Sequence, residues 1–342
     1  MKPLYGTRDA PLRWFMRLRK ALIQVGLRQM QTDICMYSRL GNGELGGALI
    51  IRVDDILYVG KKEFLGRVES AIKQFRIGGI EILSLEKKVI FTGLEIQLSE
   101  NKSIVASQKQ YISELPTMGI SQYVNQDKIA NVKDLQSTFR QGLGGLIWIH
   151  QSRPDVGYLI AKMATDLITA CADAKKAVAL GKLYNKIARF LKNRPIEIKY
   201  APPPNHQSSH FGLNQLKAYR IICFTDAGFA TLHDDHIIEP NVTLLGNVLF
   251  RDGIVHCHGF LIDHRCAKIQ RACKSSLSAE CHAEVTAGDY SLRYQIILVE
   301  LVTHRYQIRK LRHPTNCPML NPFEKSPSGE CLSKENLYYI HR

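Results

Sequence analysis

A chain of 342 residues, 45% of them hydrophobic, can bury a core in each of about two domains, which excludes a disordered or low-complexity polymer. No run of about twenty apolar residues occurs, and Met1-Lys-Pro-Leu-Tyr5 leads straight into domain-like sequence, so neither a spanning helix nor a secretory leader is expected. The formal charge of +15, from 46 Lys and Arg against 31 Asp and Glu, favours polyanionic partners, a phosphate backbone being the commonest.

Nine Cys are scattered without a secreted framework, so reduced thiols and an intracellular place, cytoplasmic or nuclear, are expected. The segment from His256 to His282 gathers Cys257, Cys266, Cys273 and Cys281 beside several His. It lacks a Cys-x-x-Cys pair, and zinc is not expected there.

In chain order, the first predicted element is a helix from about Pro11 to Val25, with Trp14, Leu18, Leu22 and Val25 on its core face. Gln31 to Arg39 reads as a strand and Asn42-Gly43 as a tight turn. Then Gly47-Ala-Leu-Ile-Ile-Arg-Val-Asp-Asp-Ile-Leu-Tyr-Val-Gly60 reads as a β-hairpin whose turn presents Asp54 and Asp55. Adjacent like charges raise the pKa of at least one carboxyl unless a cation neutralises them, and a hard ion such as Mg²⁺ suits such a pair. The same residues also suit a plain solvated turn.

Lys61 to Arg76 carries Phe64, Val68, Ile72 and Phe75 at helical spacing. The middle third reads mainly helical. Around Ser152-Arg-Pro-Asp-Val156, Arg153 is open to two readings: a phosphate ligand, or one partner of an internal ion pair that holds a helix-starting turn. Ala170 to Lys192 forms a basic amphipathic helix with Leu180, Leu183, Ile187 and Leu191 on one face and Lys175, Lys176 and Lys182 available to phosphates.

Ala201-Pro-Pro-Pro-Asn-His-Gln-Ser-Ser-His210 is too polar for a core and reads as a linker, where limited proteolysis should cut first and release two pieces. Beyond it, the apolar strand from Ala218 ends in Asp226, strands follow around Leu244–Arg251 and Ile254–Leu261, and Lys274-Ser-Ser-Leu-Ser-Ala-Glu280 leads into a Ser-capped helix.

Several of these stretches carry a family resemblance, in the right order from about residue 2 to 310. Lys2-Pro-Leu-Tyr-Gly-Thr-Arg-Asp-Ala-Pro-Leu-Arg-Trp14, Val53-Asp-Asp55, Ile90-Phe-Thr-Gly-Leu-Glu-Ile96, Ser107-Gln-Lys-Gln-Tyr-Ile112, Ser152-Arg-Pro-Asp155 and Ser275-Ser-Leu-Ser-Ala-Glu280 are among the stretches that resemble signatures of the polymerase and RNase H region of copia-type retrotransposons. Asp33 also matches a family Asp, and reads as a turn residue.

The resemblance implies a mixed α+β and α/β fold. Residues 1–115 would form a partial reverse-transcriptase palm without fingers or first catalytic strand, and 116–200 a helical thumb or connection. A linker at 201–216, an RNase H-like domain at 217–312 and an irregular tail at 313–342 would follow. It implies RNA-directed DNA synthesis and RNase H chemistry by two-metal phosphoryl transfer, with Mg²⁺ or Mn²⁺ held by Asp54, Asp55, Asp226 and Glu280. RNA template, RNA–DNA hybrid and the rest of the Pol polyprotein would be its partners, with no membrane.

The departures matter as much. Arg52 stands where the family has an aromatic residue; beside the carboxylates it can pair with one of them or with phosphate. The family's first palm Asp lies upstream of Leu-Tyr-Gly, and the third RNase H Asp has no counterpart in a strand after Arg312. The expectation is a partial or decayed element product, inactive alone; the alternative is a nucleic-acid-binding module without catalysis.

Overall fold

The structure, a computed structural model, describes residues 9–53, 55–75, 79–101, 103–125, 128–200, 220–228, 237–251, 254–269, 273, 275–304 and 338–340. Asp54, the Leu4-Tyr-Gly6 signature and the 201–216 linker lie outside the described residues.

Helix α1 (Ala10–Gln24) starts with proline in its first turn, where no backbone N–H is needed, and buries Leu18 and Leu22. After the two-residue β1 (Arg28–Gln29), β2 (Met36–Gly41), β3 (Glu44–Arg52) and β4 (Asp55–Gly60) complete an antiparallel sheet in the order β1-β2-β3-β4. Asn42 and Gly43, at φ 51° and 79°, make the left-handed two-residue turn that joins β2 to β3. The predicted strand from Gln31 starts only at Met36, because Asp33 Oδ1 accepts the Cys35 N–H at 2.9 Å and bends the chain first. Helix α2 (Lys62–Ile72) lies beside α1, and Leu18, Leu22, Tyr37, Leu49, Ile51, Phe64, Val68 and Ile72 form one core beneath the pair. Alternation along β3 and β4 therefore gives Leu49, Ile51, Ile56 and Tyr58 to the helix-covered face, and Ala48, Ile50, Asp55, Leu57 and Val59 to the other.

A second sheet, in the order β10-β7-β6-β5, corrects the division at residue 115. Strands β5 (Val89–Phe91), β6 (Leu94–Leu98) and β7 (Ile104–Ser107) are joined by β10 (Ile198–Tyr200), which arrives from the far end of the helical region. The palm and thumb segments expected from sequence thus share a sheet. Short α3 (Lys109–Ser113) leads through a two-stranded sheet of β8 (Val124–Asn125) and β9 (Lys128–Ile129) to α4 (Val132–Ile149), α5 (Gly157–Ala170) and α6 (Ala174–Asn193), whose core includes Leu135, Phe139, Leu146, Met163, Leu180 and Leu191. The basic helix expected from Ala170 begins instead at Ala174, because Asp173 caps it by accepting the N–H groups of Lys175 and Lys176.

The C-terminal unit is a third sheet, in the order β13-β12-β11-β14, under a 28-residue helix α7 (Ser276–Thr303) capped by Ser275. Strands β11 (Arg220–Thr225), β12 (Ile238–Arg251) and β13 (Ile254–Lys268) are antiparallel, whereas β14 (Tyr338–Ile340) runs parallel to β11. The segment expected at 313–342 to be an irregular tail therefore contributes Tyr338–Ile340 to this sheet. Among the described residues no helix is long and apolar enough to cross a membrane.

The C-terminal unit also packs on the helices. The His150 and His264 rings meet edge-on at 4.6 Å, and His264 Nε2 contacts the His150 carbonyl. Burial, then the charge of His264, pushes the His150 imidazole down to about 4, against the opposing pull of Asp263 and Asp155. A depressed histidine pKa means that the unfolded chain takes up a proton near pH 6.5, while the folded one waits until about pH 4. This contribution to stability is complete above about 6.5 and lost as the pH falls through that window. Urea midpoints measured from pH 7.5 to 4 should decline across it, and His150→Phe should flatten the decline; an equal decline in the variant contradicts the assignment.

Candidate nucleic-acid interface and carboxylate positions

The β3–β4 hairpin pairs Arg52 directly with Asp55, with Val53 in the turn between them. Val53 sits at φ 54°, a left-handed conformation that costs a β-branched residue energy. The turn is braced from behind, where the Trp14 indole N–H donates to the Val53 carbonyl at 3.4 Å and the Trp14 ring meets Phe75 edge-on at 5.0 Å. Arg52 and Asp55 are both exposed, and Asp55 belongs to the sheet face away from α1 and α2.

Asp226 and Glu280 border one small apolar cluster, since their neighbours Ala227 and Ala279 pack together with Ile237 and Ile269. Asp226 is exposed just past the end of β11, where its Oδ1 accepts the Ala227 N–H at 2.8 Å. Glu280, in the second turn of α7, has a buried Oε2 that finds no hydrogen-bond partner. An orphaned carboxylate oxygen of this kind suits a cation. Yet among the described residues no group of three or more His, Cys, Asp or Glu side chains gathers as a metal site. Asp55 lies on the first sheet whereas Asp226 and Glu280 belong to the C-terminal unit, so the described residues do not make up a two-metal site.

Sequence reasoning missed Glu239. This buried carboxylate on β12 lies 3.1 Å from His282 Nδ1 and 3.8 Å from Arg265 Nη2, and accepts the Thr286 hydroxyl at 3.4 Å. It ties the start of α7 to the sheet and thereby sets where Glu280 stands. His282 and Thr286 lie 43 and 47 residues from Glu239 in sequence, which is why spacing alone gave no sign of them.

Helix α6 has two distinct faces. Ala177, Leu180, Tyr184, Ile187, Ala188 and Leu191 are buried. On the outer side Lys175, Lys182, Lys186 and Arg189 are exposed, and at about 100° per residue they fall within about 60° of one another along about 21 Å of axis. Among the described residues no ion pair holds them, whereas Lys109 is paired with Glu197 and Lys162 with Asp166. Lys176 is exposed too, but lies about 100° round from this stripe. Lys186 and Arg189 were missed, although the spacing 175-182-186-189 is itself the signal of one helix face.

Arg153 requires a correction. Its side chain is 0% exposed and cannot reach a phosphate. Its guanidinium forms a bidentate pair with Asp155, at 2.9 and 2.7 Å, and donates to the carbonyls of Leu191 and Arg194 at the end of α6. Of the two sequence readings, the internal ion pair holds. Arg153 and Arg194 also stack against the Phe190 ring at 5.7 and 5.5 Å.

A polar cleft of about 530 Å³ opens over β6, β7 and α3. Its charges are spent internally, with Lys88 on Glu95 at 2.6 Å and Lys109 on Glu197 at 2.5 Å. Burial would raise the Glu95 carboxyl, but the Lys88 hydrogen bond, the Gln110 N–H and the Lys88 and Lys109 charges outweigh it and hold the group below the usual range.

No family model matches the chain, and no solved structure matches it. It is 22% identical over 250 residues, 69% of this chain, to a protein of Arabidopsis thaliana described as the retrovirus-related Pol polyprotein from transposon RE1. The chain spans about 15% of the length of that relative. The similarity supports a retrotransposon Pol-related origin.

Proposed function

We propose that this chain is a piece of a retrotransposon reverse transcriptase–RNase H region that binds nucleic acid, an RNA–DNA hybrid by preference, and does not carry out phosphoryl transfer alone. The observation that carries the binding is the stripe Lys175-Lys182-Lys186-Arg189, four exposed cations in line, none of them in an ion pair among the described residues. Cations so spaced along a helix suit successive phosphates, and the excess charge of +15 draws a polyanion to the surface.

Three features support the Pol reading of the rest. A tight antiparallel hairpin presents Asp55 in front of two packed helices. A sheet with one parallel outer strand lies under a helix bearing Glu280 near Asp226. The similarity to the transposon Pol polyprotein spans most of the chain. In that reading Mg²⁺ or Mn²⁺ is the cation that Asp54, Asp55, Asp226 and Glu280 serve in the complete polyprotein. Two-metal chemistry needs carboxylates from separate strands to hold both ions in line with the reacting oxygens. A single turn cannot provide that.

The chain alone should therefore give no Mg²⁺-dependent extension of a DNA primer on an RNA template. Extension that disappears in Asp55→Asn would overturn the non-catalytic part of this reading.

A further inference from the structure

We infer that the last turn of α7 is a docking latch that holds the C-terminal unit on the first sheet without help from the chain connecting them. Glu300 is 1% exposed and 269 residues from its first partner, yet its carboxylate is fully engaged. Oε1 accepts the Gln31 N–H at 2.7 Å, while Oε2 accepts the Thr32 N–H at 3.0 Å and the Thr32 hydroxyl at 2.6 Å. Four residues on, His304 Nε2 meets the buried Ser38 hydroxyl at 2.9 Å, and the Arg28 guanidinium donates to the His304 carbonyl. These groups come from β1, from β2 and from the turn between them, so one helix end grips three successive parts of the first sheet.

The chemistry argues for specificity. Burying a carboxylate is costly unless donors replace its water, and here two backbone N–H groups and one hydroxyl do so. The reverse also holds: if α7 left, those N–H groups would lose their charged acceptor. The helix ends at His304 in a left-handed conformation, φ 53°, which a non-glycine residue tolerates when its surroundings hold it. Its N–H closes on the Glu300 carbonyl at 2.8 Å, so the strained residue and the buried carboxylate form one motif.

A second contact lies well away from the first. His264 of β13 meets His150 after α4, and a Cβ placed on Gly157 would come within 2.9 Å of the Cys266 Cβ, so glycine there permits the close approach of α5 to β13. With two separate anchors, the C-terminal unit cannot swing about either. This inference does not depend on nucleic-acid binding.

It alters what proteolysis should show. A specific protease site placed at residues 205–212 of the full chain, once cut, should yield two polypeptides that still co-elute at the mass of the intact protein. Glu300→Ala strands the Gln31 and Thr32 donors and should weaken reassociation of the cut halves about a hundredfold, the size seen when one partner of a buried, hydrogen-bonded charge is removed. Thr32→Val removes one hydroxyl only and should weaken it about tenfold, which keeps the test open if Glu300→Ala fails to fold. Halves of the unmodified chain that separate on the column would overturn the latch, as would Thr32→Val halves that reassociate as tightly as the original.

Discussion

The double reversal Lys182→Glu with Lys186→Glu should lower affinity for an RNA–DNA hybrid about a hundredfold at low salt, with the fold unchanged. Both side chains stand at the centre of the α6 stripe and point away from the core formed by Leu180, Tyr184 and Ile187. Each phosphate contact releases condensed counterions, so removing two cations and adding two anions both weakens binding and flattens its salt dependence. Reversing Lys176, about 100° round the helix, should cost much less. Fluorescence anisotropy on the three proteins, with circular dichroism as the fold control, separates the outcomes. A loss at Lys176 about half that of the pair in free energy, in proportion to the charge reversed, would mean that charge, rather than the stripe, governs binding.

Arg153→Ala should destabilise the fold by about 3 kcal/mol while leaving nucleic-acid affinity nearly unchanged. The substitution removes both bonds to Asp155 and the donor to the Arg194 carbonyl, and it leaves a carboxylate without its counter-charge. Breaking one side of a buried pair typically costs about 3–5 kcal/mol, and Asp155, which keeps 31% of its side-chain surface in water, recovers part of that. Urea denaturation measures the first claim and anisotropy the second. A stable variant with greatly weakened binding would restore Arg153 as a phosphate ligand.

Much of the local structure was legible because it is set by short-range physics. Helical spacing picked out Leu18 and Leu22 on α1 and Phe64, Val68 and Ile72 on α2, all of which are buried. Asn42-Gly43 marked its turn because both positions need left-handed backbone, which these residues accept readily. What could not be read depends on partners far off in the chain. Nothing in Ile198–Tyr200 announces that it pairs with Ile104–Ser107, and nothing in Glu300 announces Gln31 and Thr32. Arg153 lies between the two cases: Arg-Pro-Asp suggested an ion pair, but its burial follows from the end of α6, 38 to 41 residues later. The break before α6 was visible in principle, since Asp173 is a good N-cap, though the run of Ala and Lys around it reads as continuous helix. The candidate site divides the same way: residue types at Asp55, Asp226 and Glu280 were evident, whereas their grouping, and the support from Trp14 and Glu239, required the fold.

Binding through the α6 stripe is tested by the affinity of the full chain for an RNA–DNA hybrid, measured by equilibrium titration from about 50 to 200 mM salt. With the four stripe cations each contacting a phosphate, the logarithm of affinity should fall linearly with the logarithm of salt at a slope of about −3 to −4. A slope near zero, or no binding at the lowest salt, would mean that these cations do not hold a phosphate backbone.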